Sequence, residues 1–122
     1  MRPSMRYGGA TDEEIAQVRP YVEGCNRALC NGDLSPTGRV STRGPLRADV
    51  NRAVAAERQR AASEGNPYNG HAGHVPDTTW TGRATPPEWM DLTPRVNSSL
   101  GGQSLRYPLG FRPTEFLFGV GE

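Results

Sequence analysis

The sequence predicts an α+β fold in which two N-terminal helices pack on a small irregular β-sheet from the C-terminal half. An amphipathic pattern is clear only before residue 65. After that point Gly and Pro recur so closely that only short strands fit between them. The chain has 122 residues, 34% of them apolar, and a mean hydropathy of −0.67, enough for one small core and too short for a two-domain enzyme.

Residues 1–10 are expected as a flexible lead-in, because Pro3, Gly8 and Gly9 interrupt a stretch without periodicity. Thr11-Asp12-Glu13-Glu14 is a capping-box pattern, and Ile15, Val18, Val22, Cys25 and Leu29 follow at helical spacing, which predicts a helix over 12–30. Pro20 removes one backbone donor inside it and predicts a kink or restart, and Asn31-Gly32 predicts a left-handed end. A Gly-, Pro-, Ser- and Thr-rich loop over 33–45 leads to a second helix over 45–64, opened by Gly44-Pro45 and closed by Gly65-Asn66-Pro67. Its apolar face, Leu46, Val50, Ala53, Val54 and Ala61, includes one carboxylate, Glu57. Beyond it, short strands are predicted around His74-Val75, Arg95-Val96, Ser104-Tyr107 and Thr114-Phe118.

No apolar run approaches the ~20 residues of a bilayer span, so no membrane anchor is expected. The N-terminus lacks the apolar region of a secretory signal, so export is expected to depend on another element. Net charge is +1, yet all 14 basic residues are Arg, whose planar fork suits phosphate oxygens. Cys25 and Cys30 lie five apart on a predicted helix, about 140° around its axis, which disfavours a disulfide. Two Cys and two His are too few for a structural zinc site, and both cysteines are expected as small, partly buried apolar residues.

The densest chemistry lies in Gly70-His71-Ala72-Gly73-His74-Val75-Pro76-Asp77-Thr78-Thr79-Trp80. His74 and Asp77 are separated by a proline that stiffens the backbone, so an imidazole and a carboxylate take a defined relative position. Imidazole can take a proton from water near neutral pH, and a carboxylate can hold a hard cation or orient the imidazole. The bland alternative is a loop whose His and Asp bond only local backbone. His71 is a second imidazole, less well fixed among glycines. Glu57 is a further acid-base or metal candidate, set against a helix-surface charge paired with an Arg one turn away. A second cluster places Asn97, Ser98 and Gln103 around Gly101-Gly102, followed by Arg106, as neutral and cationic groups for phosphate or base edges. Arg39, Arg43 and Arg47 surround the start of the second helix, where an anion is favoured. Trp80 and Trp89 are expected in the core.

These residues, with Ser41-Thr42, Gly44, Leu46 and Arg47 before an Ala/Glu/Arg-rich helix and Tyr107-Pro108 and Pro113-Thr114-Glu115-Phe116 after, make residues 41–116 resemble the HxxD nucleases of polymorphic toxin type 43. The resemblance implies that 11–122 is a single nuclease toxin domain, carried by a secreted bacterial protein and acting in the cytoplasm of a target cell. It also implies a DNase that needs Mg2+ or another divalent cation and is neutralised by a cognate immunity protein. The family's active His and Asp map onto His74 and Asp77. Chemistry rather than family assigns His74 as general base and Asp77 as metal ligand. The immunity protein is expected to set acidic groups against Arg39, Arg43, Arg47 or Arg106. The near-neutral chain departs from the concentrated positive face on which duplex affinity usually rests, so the arginines would have to cluster. Two other readings stay open: a metal-independent RNase using His74 and Glu57, and a non-catalytic binding module.

Overall fold

A computed structural model of the chain describes residues 3–120. The fold is α+β: β1 (Ser4–Gly9), α1 (Asp12–Cys30), α2 (Pro45–Ser63), β2 (His71–Val75), α3 (Thr78–Thr81), β3 (Glu88–Leu92), α4 (Pro94–Ser104) and β4 (Glu115–Val120). The strands form two separate pairs in place of one sheet. β1 and β4 run parallel with Met5 opposite Phe116 and Tyr7 opposite Phe118, and β2 and β3 run antiparallel with His74 opposite Trp89.

The first strand corrects the expectation of a flexible lead-in, of which Met1 and Arg2 lie outside the described residues. Met5 and Tyr7 alternate inward along β1 and are fully buried, a period-two signal too short to stand out among glycines. A parallel pair needs a long crossover. Here nearly the whole chain lies between its two strands, which closes the domain through its ends.

Helix α1 follows the predicted bounds and carries both halves of the capping box: Glu14 N–H donates to Thr11 Oγ1 at 3.1 Å, and Thr11 N–H donates to Glu14 Oε1 at 3.0 Å. It runs as one helix through Pro20, without a restart, and Gly32 beyond its end takes φ 77°. Gly24 faces Val75 of β2 so closely that a Cβ there would lie 2.5 Å from Val75 Cγ1. The helix therefore seats directly on the strand that carries His74.

Helix α4 overturns two predicted strands, because 95–96 and 104 lie within it and 105–107 form the turn after it. Thr93 accepts from Val96 N–H and Pro94 fills the first turn, where proline's missing N–H costs nothing. Its Asn, Ser and Gly residues are poor helix formers, and burial of Val96, Leu100 and Ser104 on one face outweighs that preference.

The core joins both ends of the chain to the middle. Trp80, Tyr7 and Phe116 are buried, with Trp80 edge-on to Phe116 at 5.8 Å and Tyr7 edge-on to Tyr21 at 5.1 Å. Trp80 Nε1–H donates to the Tyr7 hydroxyl at 2.9 Å, and that hydroxyl lies 2.6 Å from Ser104 Oγ, so these three buried polar groups satisfy one another. Trp89 is only partly buried. Of the free cysteines, Cys25 is buried and Cys30 is exposed, against the expectation that both are partly buried. No helix of the described residues is long and apolar enough to cross a membrane.

Candidate functional site

Strand β2 ends at Val75, a cis Val75–Pro76 peptide follows, and Asp77 then caps the single turn of α3. Asp77 Oδ1 accepts from Thr79 N–H at 2.9 Å, and Asp77 N–H donates to the Tyr21 hydroxyl at 2.9 Å. His74 and Asp77 thus come from a strand end and a helix cap anchored on the core rather than from a free loop. Both line one cleft of about 650 Å³ between α2, β2 and α4. That volume suits a small-molecule-sized portion of a ligand.

The cross-strand neighbour Trp89 lies 4.5 Å from the His74 ring, centroid to centroid, and half-buries it. His74 Nε2 is 2.7 Å from the Ala84 carbonyl oxygen. A carbonyl only accepts, so Nε2 carries the proton and the neutral ring keeps Nδ1 as its acceptor. Burial pushes the His74 pKa below its ordinary value, against the opposing pull of the Ala84 carbonyl and of Asp77. The ring is therefore an unprotonated base at neutral pH. Burial raises the Asp77 pKa, opposed by the Thr79 N–H and by the charges of His74, Arg47 and Arg39.

His71 lines the same cleft. Flanking glycines were expected to leave it loose, but β2 pairing and Asn97, whose Nδ2 lies 3.0 Å from His71 Nδ1, hold it. Arg47 reaches the cleft from the first turn of α2, donating to Thr42 Oγ1 at 3.0 Å. Of the residues expected to meet substrate, His71, His74, Asp77, Arg47 and Asn97 are brought together.

The others are not. Glu57 is 8% exposed and turned away from the cleft, taking two 2.7 Å bonds from Arg60 and one of 2.6 Å from the Tyr68 hydroxyl. Those donors lower its pKa to about 2, which holds it as a committed structural anion. The pairing of Glu57 with His74 is thereby overturned. Arg39 is drawn inward, donating to Thr79 Oγ1 at 2.9 Å. Gln103 ties α4 to β1 through Gly8, accepting from its N–H at 2.8 Å and donating to its carbonyl oxygen at 3.1 Å. Arg43, Ser98 and Arg106 are exposed and do not line the cleft.

Sequence reasoning missed Asn51, Arg58, Thr42, Tyr21 and Thr78. The signal for two of them was present: Arg47, Asn51 and Arg58 recur at i, i+4 and i+11, which puts them on one face of α2. Arg58 also donates to the Gly70 carbonyl oxygen at 2.7 Å, joining α2 to the approach of β2. Thr78 and Tyr21 needed the tertiary fold.

As to possible ligands, Asp77 is the single carboxylate lining the cleft, and no group of three His, Cys, Asp or Glu side chains gathers among the described residues. Such a donor set suits a cation that keeps most of its waters, as magnesium does when it takes one carboxylate together with phosphate oxygens. In comparison with known proteins, no family model, no curated protein and no solved structure matches this chain.

Proposed function

We propose that this chain is a nuclease that hydrolyses phosphodiester bonds in its α2/β2/α4 cleft, with His74 as general base. The observation that carries this reading is the His74 ring, held in one tautomer by Ala84 and neutral through burial, in one cleft with Asp77 and Arg47. His74 Nδ1 takes a proton from the attacking water. Arg47 offers a permanent charge to the phosphate, and His71 stands in the same cleft as a second proton-carrying group. Asp77 Oδ2, free of the Thr79 bond, would hold a divalent cation, which when bound would polarise a phosphate oxygen.

The resemblance to the HxxD toxins supports DNA as substrate, Mg2+ dependence, carriage by a secreted bacterial protein, action in the target cytoplasm and an immunity-protein partner. Of the arginines offered to that partner, Arg47 alone lines the cleft. A second reading is favoured by His71 and His74 sharing one cleft: metal-independent RNA cleavage by two imidazoles, with His71 in the place first given to Glu57.

The test is incubation of plasmid DNA and total RNA with the purified chain, with and without magnesium and chelator. DNA cleavage abolished by chelator supports the first reading. Chelator-resistant cleavage of RNA alone supports the second. Cleavage of neither, by a folded chain, sinks both.

A further inference from the structure

Two buried side-chain polar atoms among the described residues have no hydrogen-bond partner: Arg39 Nε and Thr78 Oγ1. Arg39 does not line the cleft, whereas Thr78, only 4% exposed, does. The polar groups of the adjoining segment bond elsewhere: Asp77 Oδ1 accepts from Thr79 N–H, Thr79 Oγ1 donates to the Val40 carbonyl oxygen, and the Tyr21 hydroxyl accepts from Asp77 N–H. A buried hydroxyl left without a partner destabilises the fold, so such a group on a cleft wall points to an occupant that completes it.

The nature of the occupant follows from what faces the same space. Arg47 and Thr42 line the cleft on either side of the α2 start, and Arg47 lies near enough to lower the pKa of both His74 and Asp77. α2 begins at Pro45 without a side-chain cap from Gly44, and Pro45 brings no N–H while Arg47 N–H donates to the Gly44 carbonyl oxygen at 3.0 Å, so the side chain of Arg47 is what the helix start offers an anion. A donor hydroxyl and a guanidinium on one cleft call for an anion with several acceptor oxygens.

We propose that Thr78 Oγ1 and Arg47 form a subsite for one phosphoryl group, with the threonine hydroxyl donating to a non-bridging oxygen. The proposal rests on the nuclease reading for the identity of the ester, naming the residues that hold its reacting phosphate. Phosphate beside Asp77 adds a second negative charge, so occupancy is expected to strengthen when magnesium is present.

The experiment is calorimetric titration of the full chain with inorganic phosphate, with and without magnesium, on wild type, Thr78→Val, Thr78→Ser and Arg47→Gln, alongside thermal melts. Thr78→Val replaces the unpartnered hydroxyl by a methyl of similar size. It should melt at the same or a higher temperature and bind phosphate about tenfold more weakly, the loss of one charge-assisted bond. Thr78→Ser should retain binding, and Arg47→Gln should weaken it. Wild-type phosphate affinity in Thr78→Val overturns the proposal, and so does a lowered melting temperature, which would reveal an internal partner for the hydroxyl. Thr78-dependent phosphate binding by a chain that cuts neither DNA nor RNA removes the nuclease reading and leaves the subsite. Cleavage by Thr78→Val with unchanged kcat and KM does the reverse.

Discussion

His74 and Asp77 carry opposite consequences of the same burial. For the imidazole, burial favours the neutral form and lowers the pKa, so the base stays competent in more acidic solution than an exposed histidine. The acid limb of kcat/KM should therefore fall below the ordinary imidazole value of 6.5. A limb at or above that value would remove His74 as the base, and His74→Ala should cut turnover about 10²–10⁴-fold. The carboxyl behaves inversely: with its pKa raised, stability falls as pH rises from the ordinary aspartate value to the folded one, and the full cost of the ionised group remains above that. Asp77→Asn keeps an acceptor for Thr79 N–H and removes that charge. Its melting temperature at pH 7 should be unchanged or higher while cleavage falls. A destabilised variant would show that Asp77 serves the fold rather than the reaction. Glu57 gives the contrasting case, with its pKa lowered to about 2 by Arg60 and Tyr68. Its stabilisation is complete above the usual glutamate value and is lost as pH falls toward 2. Glu57→Gln should lower the melting temperature at pH 7 and flatten this acid dependence.

Among the elements, β1 and α1 decide whether the cleft exists at all. A chain beginning at residue 10 would lose Met5 and Tyr7 from the core, at about 1.5–3 kcal/mol for each side chain, together with the pairing of β4. We expect it to melt far below the full chain or not to fold, as read by circular dichroism. Unchanged melting would mean that β1 is dispensable. Gly24→Ala sets two effects against each other. Alanine gains up to about 1 kcal/mol of helix propensity, while overpacking typically costs about 1–3 kcal/mol. With Val75 Cγ1 at 2.5 Å from the added carbon, overpacking should win and the melting temperature should fall. Helix α2 contrasts with α1: it packs chiefly on β2 and buries only Val50, Glu57 and Ala61. Its remaining face is free to present Arg47, Asn51 and Arg58 to the cleft.

For the molecule as a whole, a net charge of +1 supplies little long-range attraction, so on the proposed nuclease reading nucleic-acid binding rests on local contacts. With Arg47 and Arg58 as the arginines on the cleft, the log–log slope of nucleic-acid affinity against salt should be shallow, about −1 to −2. A slope several times steeper in a filter-binding titration would place the nucleic acid on a wider surface. The parallel β1/β4 pair joins the chain's ends around everything else, with Tyr7 bonded to both Trp80 and Ser104. Tyr7→Phe leaves the shared polar network short of one hydroxyl and should cost about 1–3 kcal/mol in denaturant unfolding. No measurable cost would mean that the network adds nothing to the packed ring.

The local signals read correctly were those whose physics is contained in a few neighbouring residues. The capping box at Thr11 and Glu14, the Gly44-Pro45 start and the Gly65-Asn66-Pro67 stop bounded both long helices to within a residue or so. The stiff His74-Pro76-Asp77 run marked the cleft because proline restricts its own backbone and its neighbour's. Where burial between distant segments decides, the sequence misled. β1 is a strand because β4 pairs with it, α4 is a helix because its one buried face outweighs poor propensity, and Glu57 left the site because Arg60 and Tyr68 surround it. Likewise, Ala84 sets the tautomer of His74, and Thr78 is buried on the cleft wall with its hydroxyl unpartnered. Such facts depend on which polar groups meet across the fold, and hydrogen-bond satisfaction between segments far apart in sequence leaves no periodic trace in the chain.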